Sequence, residues 1–170
     1  LGEVFNPYLA DKPLADDISS AELLKLNINS NNRSMTMTAK FGGLVLRDNL
    51  FAAEKQISKS ELNLGSVRIN PIYDSELFSA DYFPELYKAV KRDIPSINAT
   101  LNNAFVTYEE GNLQITLNNG GKSLLDAKGF DKALKRLVAE EFSLEINIIY
   151  TGTLEVDGQS EEYMQTMKNA

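Results

Sequence analysis

Between Ser79 and Tyr150 the spacing of apolar residues switches from helical to alternating and back, and that order of periods restricts the fold more than any single motif. Phe83, Leu86, Tyr87, Val90 and Ile94 recur at helical spacing as one stripe. Ser79-Ala80-Asp81 supplies capping residues ahead of them, with Pro84 in the first turn, where a missing amide costs little. Phe105 to Tyr108 and Leu113 to Leu117 then flank Glu109-Glu110-Gly111-Asn112, a hairpin turn whose Gly and Asn can take positive φ. Asn118 to Gly121 breaks the sheet, residues 122–127 predict a short helix, Gly129 interrupts it, and Phe130 to Phe142 predict a longer one. Ser143 to Tyr150 reads as a closing strand with Leu144, Ile146, Ile148 and Tyr150 on one face. Residues 79–152 therefore predict a small α+β lobe of order αββααβ.

Residues 1–78 predict a second α+β lobe. Leu1 to Ser20, punctuated by Pro7 and Pro13, reads as irregular. Leu24, Leu26 and Ile28 alternate with polar residues, and after Ser30-Asn31-Asn32-Arg33 the alternation resumes as Met35, Met37 and Ala39. That pattern predicts a hairpin with one buried face. Asp48 is placed to cap a helix carrying Leu50, Phe51, Glu54 and Ile57, which Leu64-Gly65 ends. Val67, Ile69 and Ile72 give a last strand, so the lobe reads ββαβ. Residues 153–170 read as a linker or tail, and the start at Leu1 rather than Met suggests a fragment.

Composition narrows the chemistry. The chain has no cysteine and no histidine, which removes disulfides, thiolate nucleophiles and every histidine-based proton relay. Only all-carboxylate, lysine or tyrosine chemistry would remain. A formal charge of -7 and a pI near 4.7 oppose nonspecific binding to a polyanion, because Lys and Arg contacts to phosphate supply most of that affinity. A protein partner is the stronger expectation. No window approaches the roughly 20 apolar residues that span a bilayer, and no secretory signal is evident. The cytoplasm is the expected compartment.

The order αββααβ is that of a type II KH fold. Nucleic-acid-binding KH domains clamp four nucleotides with a Gly-x-x-Gly loop between two helices. Here that junction is Ala127-Lys128-Gly129-Phe130, with a single glycine, and Gly120-Gly121-Lys122-Ser123 precedes the helix pair instead. The scaffold is KH-like without the Gly-x-x-Gly loop.

Four features carry a further resemblance: Ser66-Val67-Arg68-Ile69, Leu77 to Phe83, Ile94-Pro95, and the Leu134 to Phe142 helix followed by Leu144-Glu145-Ile146-Asn147-Ile148. Together they resemble the non-catalytic N-terminal region of the PolC-type DNA polymerase III alpha subunit, the replicative polymerase of low-GC Gram-positive bacteria. The resemblance implies a parent that is a DNA-directed DNA polymerase with a proofreading exonuclease, its metal-binding carboxylates lying in parts absent here. It implies for this piece an interaction module with no catalytic residue and no cofactor. Its partner would be a replisome protein, the tau subunit of the clamp loader first, with helicase or primase as others.

Two basic clusters are candidate partner-binding residues. Lys128, Lys132, Lys135 and Arg136 run along one side of the long helix, opposite Phe130, Leu134, Leu137, Val138 and Phe142. Lys88, Lys91 and Arg92 form a second cluster, expected on the solvent side of their helix. Each reads either as the solvated face of an amphipathic helix or as a docking stripe for an acidic partner or a phosphate backbone. A weak single-stranded nucleic-acid binder is the alternative function. The acidic pairs Asp16-Asp17, Glu109-Glu110, Glu140-Glu141 and Glu161-Glu162 read as surface charge, since adjacent residues point apart. Asn98-Ala99-Thr100 matches a glycosylation acceptor that has no meaning without a secretion signal. Tyr73, Phe78, Tyr82 and Phe83 are expected to pack at the junction between lobes.

Overall fold

The computed structural model describes residues 6–9, 12–97 and 100–155. The tail beyond Glu155, with Glu161-Glu162, and the Asn98-Ala99 part of the Asn-Ala-Thr triplet lie outside the described residues. The chain is α+β, with two small three-stranded sheets.

The first lobe runs α1 (Lys12–Ser19), β1 (Glu22–Asn29), β2 (Ser34–Lys40), α2 (Arg47–Ser58) and β3 (Ser66–Ile72). The helix α1 replaces the expected irregular segment and buries Ile18 completely. Pro13 is its second residue, within the first turn that proline tolerates. Asp48 is not the cap of α2. It lies inside the first turn, after Leu46 at the cap position, where its charge suits the positive end of the helix dipole.

β1 and β2 are antiparallel, and β3 joins β2 in parallel. Met35, Met37 and Ala39 of β2 are buried, as alternation demands, but their partners on β1 are not. Leu26 pairs with Met37 and Ile28 with Met35, on the same face of the sheet, yet Leu26 is 44% and Ile28 65% exposed. The expected buried face of the hairpin is therefore half correct. The reason is geometric: α2 packs on β3, and a helix of about 10–12 Å diameter spans little more than two strands set roughly 4.8 Å apart. β1 lies beyond its cover.

The second lobe runs α3 (Phe83–Asp93), β4 (Phe105–Glu109), β5 (Asn112–Leu117), α4 (Lys122–Ala127), α5 (Phe130–Phe142) and β6 (Asn147–Gly152). Again a hairpin is followed by a parallel third strand. The two lobes thus share a strand plan that no sequence repeat announces. The hairpin turn places Glu110 and Gly111, rather than Gly111 and Asn112, at positive φ, the pair of angles a two-residue turn of this hand requires. The last strand begins at Asn147, because Ser143 takes a left-handed conformation that turns the chain out of α5.

Phe130, Leu134, Val138 and Phe142 of α5 are fully buried, each worth roughly 1.5–3 kcal/mol relative to exposure. The core is continuous through both lobes. Tyr73 and Tyr82 meet Phe142 at ring-centroid distances of 5.1 and 5.7 Å, and Phe78 meets it at 5.1 Å. Three of the four expected junction aromatics are therefore joined by Phe142. Phe83 instead stacks on Tyr87 one helical turn on. No helix among the described residues is long and apolar enough to cross a membrane.

Candidate functional site

The lobes meet along a seam of charge between α2 and α3. The carboxylate of Glu85 accepts the Arg47 backbone N–H at the start of α2. Lys88 Nζ lies 2.7 Å from Asp48 Oδ2 and 3.1 Å from Glu85 Oε1. Arg92 Nη1 lies 2.7 Å from Glu54 Oε2, with its guanidinium 4.2 Å from the Phe51 ring centroid. Lys88 and Arg92, four residues apart, therefore face the first lobe rather than solvent. This corrects their expected placement, because four-residue spacing keeps both on one side of α3 and α2 is what that side meets. Lys91 is half-buried beside the Tyr87 ring, 5.4 Å from its centroid.

Lys128, Lys132, Lys135 and Arg136 are all exposed, as expected for the outer side of α5. The three lysines have no ion-pair partner among the described residues, and Arg136 only a 3.9 Å contact to Glu140. Arg92 and Arg136, one from each cluster, both line a cleft of about 250 Å³ between the lobes, with Arg47, Arg68, Asn70 and Asp93.

Glu141 is the residue that sequence reasoning misplaced. It is 3% exposed, not a surface carboxylate. Both of its oxygens lie 2.8 Å from Arg47 Nη2, and Arg47 is itself only 2% exposed. The signal was present: Glu141 is four residues from Leu137 and three from Val138, on the apolar stripe. Burial pushes its carboxyl up to about 7 against the pull of Arg47. Arg47 stays cationic: burial opposes its charge, but Glu141 together with the Tyr82 and Tyr73 hydroxyls raises it overall. Beside this pair the Tyr82 hydroxyl donates to Val45 O at 3.1 Å and lies 3.1 Å from the Tyr73 hydroxyl, and burial pushes both phenols up.

The edges of the first sheet differ. On β3, the Ile69 N–H that faces away from β2 donates to Glu54 Oε1 at 2.8 Å, which occupies one donor of that edge. Burial raises the Glu54 carboxyl even though Ile69 and Arg92 favour its charge. On β1, no strand among the described residues pairs with the outer edge, and Leu24, Leu26 and Ile28 are 51%, 44% and 65% exposed beside it. An open, apolar edge is an invitation to another chain.

No group of three or more carboxylates that could hold a metal ion occurs among the described residues. No family model matches the chain, and no curated protein matches it.

Proposed function

We propose that this chain is the non-catalytic N-terminal interaction module of a PolC-type replicative DNA polymerase in the bacterial cytoplasm, docking the polymerase to another replisome protein. The tau subunit of the clamp loader is the first candidate; helicase or primase follow. The open edge of β1 carries the reading. A strand whose outer edge pairs with no other strand among the described residues, and with Leu24, Leu26 and Ile28 exposed along it, can accept an extended apolar segment of a partner by strand addition, in which backbone bonds give affinity and side-chain pockets give register. The element order αββααβ of residues 83–152 supports a type II KH-like scaffold, and a single glycine, Gly129 at φ 67°, at the α4–α5 junction supports a scaffold that has lost the nucleotide clamp.

The test is capture of purified tau, helicase and primase by the immobilised chain, alongside an Ile28→Lys variant. The reading expects one of them to bind the parent chain and to be lost from the variant. Retention of all three at background level by both proteins overturns it.

One observation favours a second reading, weak single-stranded nucleic-acid binding: Lys128, Lys132 and Lys135 form an exposed basic face next to the α4–α5 turn, without an ion-pair partner among the described residues. Binding of this kind falls steeply with added salt. Flat low-salt titrations with a single-stranded oligonucleotide would remove it.

A further inference from the structure

β1 and β4 hold the same place in their sheets, the outer strand of the hairpin, but they present different surfaces. β4 has one exposed large apolar side chain, Phe105, opposite Thr116 on the face that does not carry the buried Leu113, Ile115 and Leu117. On β1, Leu26 and Ile28 lie on the face of the buried Met37 and Met35, and Leu24, at the bulge between Leu23 and Lys25, is two residues from Leu26 on the same side. The core face of the first sheet thus runs past β2 and stops uncovered at the edge. A further strand that brings apolar side chains to that face would complete it.

β1 is itself such a strand. When two copies of one strand pair antiparallel about a two-fold axis normal to the sheet, equivalent faces stay equivalent, so the axis passes midway between a residue and its own copy. Among the registers centred on residues 24–27, centring on Lys25 sets two like charges opposite each other, which is destabilising. Centring on Leu24 sets Leu26 against Glu22, and centring on Asn27 sets Leu24 against Ser30. Centring on Leu26 pairs Leu26 with itself and Leu24 with Ile28 on both sides of the axis, while the other face pairs Lys25 with Asn27. Every exposed apolar side chain of β1 then meets an apolar partner, and the row Met37–Leu26 of one copy continues into the same row of the other. The strand carries one acid and one base, Glu22 and Lys25, so it is neutral although the chain has a formal charge of -7.

We propose that two copies of this chain pair through β1, antiparallel and centred on Leu26, into one sheet of order β3-β2-β1-β1-β2-β3. The inference deepens the docking reading and rests on its open edge: it names what takes that edge when no partner strand does, and a second copy and a partner segment compete for it. An interface of one eight-residue strand from each copy belongs with the small protein–protein interfaces, under about 1,200 Å² in total. The pairing is therefore reversible and concentration-dependent.

The chain has no cysteine, so one introduced thiol reports one position. In this register Leu26 lies about 4.5–5.5 Å from its copy, within the roughly 4.4–6.8 Å between Cα atoms that a disulfide spans, whereas Ile28 lies about 14 Å from its own copy, four residues along the strand. Under oxidised glutathione, Leu26→Cys should form a disulfide-linked dimer at least about tenfold faster than Ile28→Cys. In sedimentation equilibrium the unmodified chain should rise from 18.9 kDa towards twice that mass between micromolar and millimolar concentration, and Leu26→Lys should stay at the monomer mass. Leu26 is 44% exposed, so neither substitution removes a core residue. A mass fixed at 18.9 kDa across that range overturns the proposal, as does a dimer that survives Leu26→Lys or cross-links as fast through Ile28→Cys. A monomeric chain that still captures tau, helicase or primase removes the proposal and leaves the docking reading; a dimeric chain that captures none of them does the reverse.

Discussion

Arg47 and Glu141, 94 positions apart in the chain, meet in a buried contact in which one guanidinium nitrogen lies 2.8 Å from both carboxylate oxygens. One sits at the first turn of α2 in the first lobe, the other in the last turn of α5 in the second. Charge buried this deeply is held in place by its partner, since either group alone would face a desolvation cost of several kcal/mol.

Breaking the pair from one side should therefore cost more than removing it. Arg47→Met is expected to lose about 3–5 kcal/mol of stability, whereas Arg47→Met/Glu141→Leu should be near neutral or more stable. Urea unfolding of the single and double variants measures both values. Equal losses in the two would contradict the account.

The same pair gives stability a pH dependence of unusual sign. The Glu141 carboxyl is raised from 4.5 to about 7 by burial, so between those values the folded chain holds a proton that the unfolded chain has released. The stabilisation is fully present below about pH 4.5 and is lost as pH rises through 7, by up to about 3 kcal/mol. Urea midpoints should fall between about pH 5 and 8, and Glu141→Gln should flatten most of that slope. A remainder of the same sign is expected from Glu54, whose carboxyl burial also raises.

Two glycines with the same backbone angle should respond differently to alanine. Gly111 and Gly152 both have φ of 80°, but a Cβ on Gly111 meets open space, while one on Gly152 would lie 2.4 Å from the Leu117 carbonyl oxygen. Gly111→Ala should cost about 1–2 kcal/mol, the left-handed strain alone. Gly152→Ala should cost at least about twice that, because backbone on the neighbouring strand must move. Thermal unfolding of the two variants decides it.

On the β1 edge, stability and binding should separate. Ile28 is 65% exposed, so Ile28→Lys should change unfolding free energy by no more than about 0.5 kcal/mol while abolishing capture of the partner. Urea unfolding beside the capture assay tests both parts. A large loss of stability would mean that Ile28 belongs to the core.

Most element positions were legible because a helix or strand imposes its period on its own residues. Of the stripe Phe83, Leu86, Tyr87, Val90 and Ile94, the first four are buried and Ile94, just past the end of α3, is half-buried; Leu113, Ile115 and Leu117 are buried. α1 escaped because Lys12–Ser19 is short and polar with one deeply buried residue, Ile18. The candidate basic residues were legible as exposed on α5 and misread on α3. A helical wheel says that Lys88 and Arg92 share a side; it does not say that α2, with Asp48 and Glu54, lies against it.

Which residues share a face follows from their spacing, and the loss of thiolate and imidazole chemistry follows from the absence of cysteine and histidine; both are properties of residue identity and order. Tertiary packing set which faces are covered. It left Leu26 and Ile28 open although they alternate like core residues, and it buried Glu141 against Arg47 although Glu141 read as surface charge. Burial depends on what packs opposite a face, and that partner lies far away in the chain.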